Sequence, residues 1–197
     1  MATGGLEGRV AIVLGVEQPE GRRAAVALAE AGADVAVVTL SEDTAAEFAA
    51  NSTANEFWAM GRKGIALTSD GGDAGIRHAI AEAGVQLGPV SIVVYAGAAP
   101  PARAALAGLR SDPAIIVIAG DGVASREAHG LLAWTHDLAA GGLRANAVVG
   151  SRRLAEKAGP VLKEHHPPET MDVGRATAYL ASDASAAIEG VMVVAEE

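Results

Sequence analysis

The chain has 197 residues, 50% of them hydrophobic, a net charge of −9 and no cysteine. That length and apolar content suit one domain with a sizeable core and argue against disorder. An acidic chain with no long basic run cannot neutralise a phosphate backbone, and without cysteine there is neither a disulfide framework nor a thiolate metal site.

Aromatic residues are only 3% of the chain, so the core must be built from Ala, Val, Leu and Ile, small side chains that favour close helix–sheet packing. The first residues carry no basic region followed by an apolar stretch, so no signal peptide is expected. No apolar run is long enough to span a bilayer. The expectation is a cytoplasmic domain with neither nucleic-acid nor membrane partner.

Apolar strand-like runs alternate with helical patterns. Arg9–Leu14 reads as a first strand ending at Gly15, followed by a helix over Gly21–Ala31 that Gly32 closes. Asp34–Thr39 is a second strand. Ser41 is placed to cap the next helix, which ends at Gly61. Gly64–Thr68 is a third strand, and a helix from about Asp73 to Leu87 follows. Val90–Tyr95 and Ala114–Ala119 are the fourth and fifth strands, and Ser125–Ala140 is helical. Arg144–Val149, a helix over Thr170–Ser182 and a last strand Val191–Val194 complete the series. Ser151–Pro168, charged and containing Pro160, Pro167 and Pro168, reads as loop-rich.

These strands are continuous apolar runs and do not alternate with polar residues. That pattern predicts burial on both faces, as in a parallel sheet covered by helices. Repeated strand–helix units predict a doubly wound, Rossmann-like α/β fold in a single domain spanning 1–197.

Several stretches resemble the short-chain dehydrogenase/reductase family. LEGRVAIVLG is similar to its first strand, and AAVALAEAGADVAVV to its first helix and second strand. LRANAVVG resembles its sixth strand, and DVGRATAYLASDASAAIEGVMVVAEE its final helix and strand. The similarity covers most of the chain in the right order. The resemblance implies a nicotinamide-dependent oxidoreductase framework, but the residues depart from it at both functional centres.

The first departure is the cofactor loop. The family's Thr-Gly-x-x-x-Gly-x-Gly is matched here by Leu14, Gly15, Pro19 and Gly21. Pro19 adds a ring and removes an N–H where a glycine lets the backbone approach a pyrophosphate. Glu17 and Glu20 place negative charge where a helix N-terminus should meet two phosphates. Thr39-Leu40-Ser41 offers neither the carboxylate that suits a ribose nor the cation that suits a 2′-phosphate. Asp70 matches the family's adenine-contacting Asp, although Asp also starts turns before helices. The family's Asn-Ala-Gly is Tyr95-Ala96-Gly97, and a bulky Tyr95 could fill space near a nicotinamide or be an ordinary strand-end aromatic. Gly15, Gly21, Asp70 and Gly97 are thus expected to be vestiges, with no cofactor bound by this chain.

The second departure is the catalytic tetrad. In the family a tyrosine four residues ahead of a lysine exchanges a proton as hydride moves. Tyr95 is followed at that distance by Ala99 and Tyr179 by Asp183, so no such pair exists in the chain. Aligning LLAWTHDLA with the family's long helix puts Ala124 and Ala128 at the tyrosine and lysine positions. The fifth strand is followed by Gly120-Asp121-Gly122, with Ser125 the nearest hydroxyl. The inter-subunit helix region between Gly97 and Ala114 is shortened, with Ala102–Leu109 as a remnant. The substrate-lid region between Gly150 and Thr170 is shortened too.

Other groupings are weaker. His165-His166 lacks a third ligand at metal spacing and suits a solvated loop. Ser125, His129 and Asp137 could share a helix region, with His136 adjacent, but there is no Gly-x-Ser-x-Gly elbow. Arg152, Arg153, Lys157 and Lys163 could meet a phosphate, but better suit a solvated loop. Leu131, Leu132, Trp134 and Leu138 lie on the helix that forms an inter-subunit bundle in the family, and Trp is a frequent interface anchor. The expectation is therefore a non-catalytic subunit, hetero-oligomeric with a catalytic short-chain dehydrogenase paralogue that binds NAD and oxidises a hydroxyacyl-type substrate. Two alternatives stay open: a homo-oligomeric oxidoreductase with a rebuilt site, and a small-molecule sensor.

Overall fold

A computed structural model describes residues 5–97, 103–106, 109, 113–119, 125–149 and 172–195. Seven strands, β1 (Val10–Leu14), β2 (Asp34–Thr39), β3 (Gly64–Thr68), β4 (Val90–Tyr95), β5 (Ala114–Ala119), β6 (Arg144–Val149) and β7 (Met192–Val194), form one sheet. Their order is β3-β2-β1-β4-β5-β6-β7, and every neighbouring pair is parallel. The strand order reverses between β1 and β4, the place where a doubly wound sheet opens a crevice at its carboxyl ends.

Among the described residues five helices cover the sheet: α1 (Pro19–Glu30), α2 (Thr44–Ala59), α3 (Asp73–Leu87), α4 (Ser125–Ala140) and α5 (Val173–Ala181). Helices α1, α2 and α5 share one face with Ala11, Val13, Val35, Val37, Ile92 and Val94. Helices α3 and α4 share the other with Ile12, Leu14, Ala36, Val38, Val93 and Ile115. Burial on both faces explains why β1 is apolar throughout and why β2 and β4 carry polar residues only at or next to their ends, Asp34, Thr39 and Ser91. The edge strand β3 departs from that expectation, with Ile65, Ala66 and Leu67 half-buried and Thr68 exposed.

Several boundaries differ from the sequence reading by a residue or more. Helix α1 starts at Pro19, two residues before Gly21, because proline suits the first helical position, where no N–H partner is required. Helix α2 is capped by Asp43, whose carboxylate accepts the Ala45 N–H at 3.2 Å. Ser41 instead accepts the Asp43 N–H. Between β4 and β5, the described part of the expected remnant Ala102–Leu109 includes a 3-10 turn, Arg103–Leu106, with Ala105 and Leu106 buried. Ser151–Pro168, including His165, His166, Arg152, Arg153, Lys157 and Lys163, lies outside the described residues.

The β6–β7 end is held by two polar side chains. Arg144 Nη1 donates to the Leu180 carbonyl at 2.8 Å and to Ser185 Oγ at 3.0 Å, tying up carbonyls that the end of α5 leaves without helical partners. Asn146 donates to Ile188 O at 2.9 Å and accepts from Val191 N at 3.2 Å, fixing the approach to β7.

Candidate functional site: the switch-point cleft

The floor of the cleft is the turn from β1 into α1. Gly15 has φ +91°, and a β-carbon there would overlap the Ala96 carbonyl oxygen. A β-carbon on Gly21 would overlap the Gly15 carbonyl oxygen and stand 3.2 Å from Ala96 Cβ. The two glycines that the sequence retains are therefore explained by the packing of β1, α1 and β4 against one another. Gln18 is the N-cap of α1 and makes no side-chain cap hydrogen bond. Pro19, at the first helical position, contributes no N–H to the helix end.

The end of β2 is tied to the β1–α1 turn. Both Glu17 carboxylate oxygens lie within reach of the Leu40 N–H, at 3.2 and 3.3 Å. The buried Thr39 hydroxyl bonds to the backbone of Ser41, accepting its N–H at 3.2 Å and donating to its carbonyl at 3.1 Å. Sequence reasoning identified Glu17 as a misplaced charge but missed its partner. The bond joins residues 23 positions apart, and no local pattern announces it.

Asp70 is exposed and accepts the Gly72 N–H at 2.9 Å, while Ser69 Oγ accepts the Gly71 N–H at 3.2 Å. Both side chains shape the turn into α3, the commoner of the two roles open to Asp70. Tyr95 is 5% exposed and packs in the core face shared with α3 and α4. Its ring folds back over Gly97, where a β-carbon would collide with the hydroxyl. Tyr95 is thus a residue of the core. Tyr179 packs on the opposite face, so the chain's two tyrosines are separated by the sheet.

Ala124 lies outside the described residues. Ala128 lies on the backbone of α4. The candidate interface on α4 is corrected by burial. Leu131 is 3% and Leu138 1% exposed, and with buried Thr135 they form the stripe that α4 lays on the sheet. They recur at i, i+4 and i+7, the spacing of a core-facing stripe. Leu132 and Trp134 are half-exposed. His136 lies at 2.8 Å from the Gly190 carbonyl, so its flank faces the approach to β7. Leu132, four residues before His136, shares that flank, whereas Trp134 is about 200° round the helix on the flank towards α3. The four residues are therefore not one patch, and Trp134 alone faces the side next to the 3-10 turn. Asp137 is exposed. The side chains of Ser125 and His129 lie outside the described residues.

Among the described residues no group of three His, Asp or Glu side chains could hold a metal ion, and no helix is long and apolar enough to cross a membrane. No protein-family model matches the sequence, and no curated protein matches it. Solved structures do match over nearly the whole chain. A blue fluorescent protein from a metagenomic library, in complex with NADPH, is 25% identical with a TM-score of 0.70, covering 98% of each chain. A short-chain type dehydrogenase/reductase from Mycobacterium marinum is 22% identical with a TM-score of 0.70, covering 98% of this chain and 95% of that one. Hydroxysteroid dehydrogenase from Escherichia coli is 19% identical with a TM-score of 0.69, covering 97% and 96%. The chain has the fold of the short-chain dehydrogenases/reductases.

Proposed function

We propose that the chain is a non-catalytic subunit of a heteromeric short-chain alcohol dehydrogenase. Its role is to complete and stabilise the assembly of an NAD-dependent paralogue that carries Tyr-x-x-x-Lys and oxidises a hydroxyacyl-type substrate. The plan is that of 2-(hydroxybenzyl)succinyl-CoA dehydrogenase, which pairs an active with an inactive subunit.

The observation that carries the reading is the switch-point turn, where the backbone of a dinucleotide site persists and its gripping groups do not. Two structures with this fold were solved with nicotinamide cofactors, NADPH in one and NADH in the other. The residues here do not fit such a group. An anion gains from helix N-terminal N–H groups and from positive charge. Pro19 withholds one of those N–H groups, and Glu17 and Glu20 oppose the approach of phosphates. The Glu17 carboxylate also takes the Leu40 N–H at the end of β2, beside the position of a ribose. No chemical step is assigned to this chain, because proton exchange needs a phenol beside an ammonium. Tyr95 is enclosed in the core, and no lysine stands four residues after either tyrosine.

The Trp134 flank of α4 is the surface offered to the paralogue. Co-expression with a short-chain dehydrogenase that carries Tyr-x-x-x-Lys should yield a stoichiometric complex. Calorimetry of the isolated chain with NAD(H) and NADP(H) should detect no binding at millimolar coenzyme. A bound coenzyme in the purified polypeptide, with hydride transfer in the absence of a companion protein, would overturn the reading.

A further inference from the structure

We infer that the free edge of β3 is a self-pairing surface on which a second copy of this chain adds its own β3, antiparallel, about a two-fold axis through Ala66. Strand β3 ends the sheet, and no described strand pairs with its outer side. The Val35 N–H bonds to Lys63 O, and the Ser69 N–H to Thr39 O. Alternation along a strand therefore directs the odd-numbered residues of β3 at β2, and turns the N–H and C=O groups of Gly64, Ala66 and Thr68 outward. Edge strands are ordinarily protected by prolines, inward charges or bulges. Gly64–Thr68 contains no proline and no charge, and it pairs with β2 without a break in register.

A second observation lies directly beside that edge. Three consecutive residues at the end of α2 point three ways. Glu56 faces α1, where it pairs with Arg22 at 2.5 Å. Phe57 is fully buried on the sheet. Trp58 is about 200° round the helix from Glu56, on the flank away from α1 and therefore outboard of β3, and it is 66% exposed. In a chain with two tryptophans, one is left in solvent beside an unprotected strand edge.

Symmetry and charge select a second copy as the occupant. Centred on Ala66, antiparallel pairing sets Gly64 against Thr68 and the exposed Lys63 against Ser69, beside the partner's exposed Asp70. Lys63 of one strand thus meets the acidic start of the partner's α3 turn, while Arg62 donates to Gly32 O of its own chain at 2.9 Å. Parallel pairing would instead set Lys63 beside Lys63. All three outward residues meet as hydrogen-bonded pairs, the self-complementary arrangement that a two-fold interface requires. An axis normal to the sheet keeps both α2 helices on one face, so each Trp58 covers the flank of the other α2. This surface is remote from α4, and the inference holds whatever partner docks there.

The experiment is sedimentation of the isolated full chain over a range of concentrations, with hydrogen exchange at the dilute and concentrated ends. A monomer–dimer equilibrium is expected. Trp58→Ala and Ala66→Pro should each weaken it by at least about tenfold, and Trp134→Ala should leave it unchanged. The Gly64, Ala66 and Thr68 amides should exchange more slowly in the dimer, and those of Ile65 and Leu67 at the same rate as in the monomer. If Ala66→Pro fails to fold, Trp58→Ala, on an exposed side chain, decides alone. A monomer at all concentrations overturns the inference, as does a dimer indifferent to Trp58→Ala.

Discussion

The two faces of the sheet are finished with different materials. Under α1, α2 and α5, alanines (Ala24, Ala25, Ala29, Ala50, Ala54 and Ala176) are the commonest helix contacts, set around the bulkier Leu28, Phe57 and Leu180. Under α3 and α4 the space is filled by Ile76, Ile80, Leu131, Leu138 and Tyr95, with Ala105 and Leu106 of a 3-10 turn between the helices. Small contacts bring backbones together, so the first face has little room for added atoms. Large aliphatic contacts fill volume, so the second face suffers most from lost atoms.

Substitutions of opposite kind should expose that contrast. The largest loss is expected from Gly21→Val, which forces side-chain atoms into the Gly15 carbonyl and Ala96. We expect a cost of about 5 kcal/mol, read as failure to accumulate folded protein. On the other face, Leu138→Ala removes a fully buried side chain and should cost about 3 kcal/mol in denaturant unfolding, while Leu138→Met should be tolerated. Arg144→Leu tests the clamp at the end of α5. Removing the guanidinium that these carbonyls share with Ser185 should cost about 2 kcal/mol, and hydrogen exchange should rise first around Ser182–Val194. The smallest effect on the isolated chain is expected from Trp134→Ala, about 1 kcal/mol. The same change should abolish capture of the catalytic paralogue, a readout that a purely structural role would leave intact.

Much of the first face was legible in the sequence because its rules are local. An Ala-rich helix closed by Gly32 and continuous apolar strands specify elements by period and by stop signals, and these elements form, with the start of α1 and the cap of α2 displaced by two residues. The α4 face was less legible. Leu131, Leu132, Trp134 and Leu138 read as one apolar group, but the sheet divides them: two lie beneath the helix and two lie on opposite flanks. Hydrophobicity identifies a buried side chain without saying what buries it. The α2 cap was misplaced because Ser41 and Asp43 are both good caps two residues apart, and the exit direction of β2 chooses between them. The exposure of Trp58 left no trace in composition, since an outward and an inward tryptophan are the same letter.

The order of strands and helices and the absence of a Tyr-x-x-x-Lys pair are properties of the amino-acid sequence, because they depend on neighbours within a few residues, and the alternation of strands with helices implied the parallel arrangement. Which groups meet across the fold was decided only by tertiary structure. Glu17 meets the Leu40 N–H, and Arg144 meets the end of α5. Each of these joins residues on different elements, and such geometry exists only once the sheet has brought distant segments together.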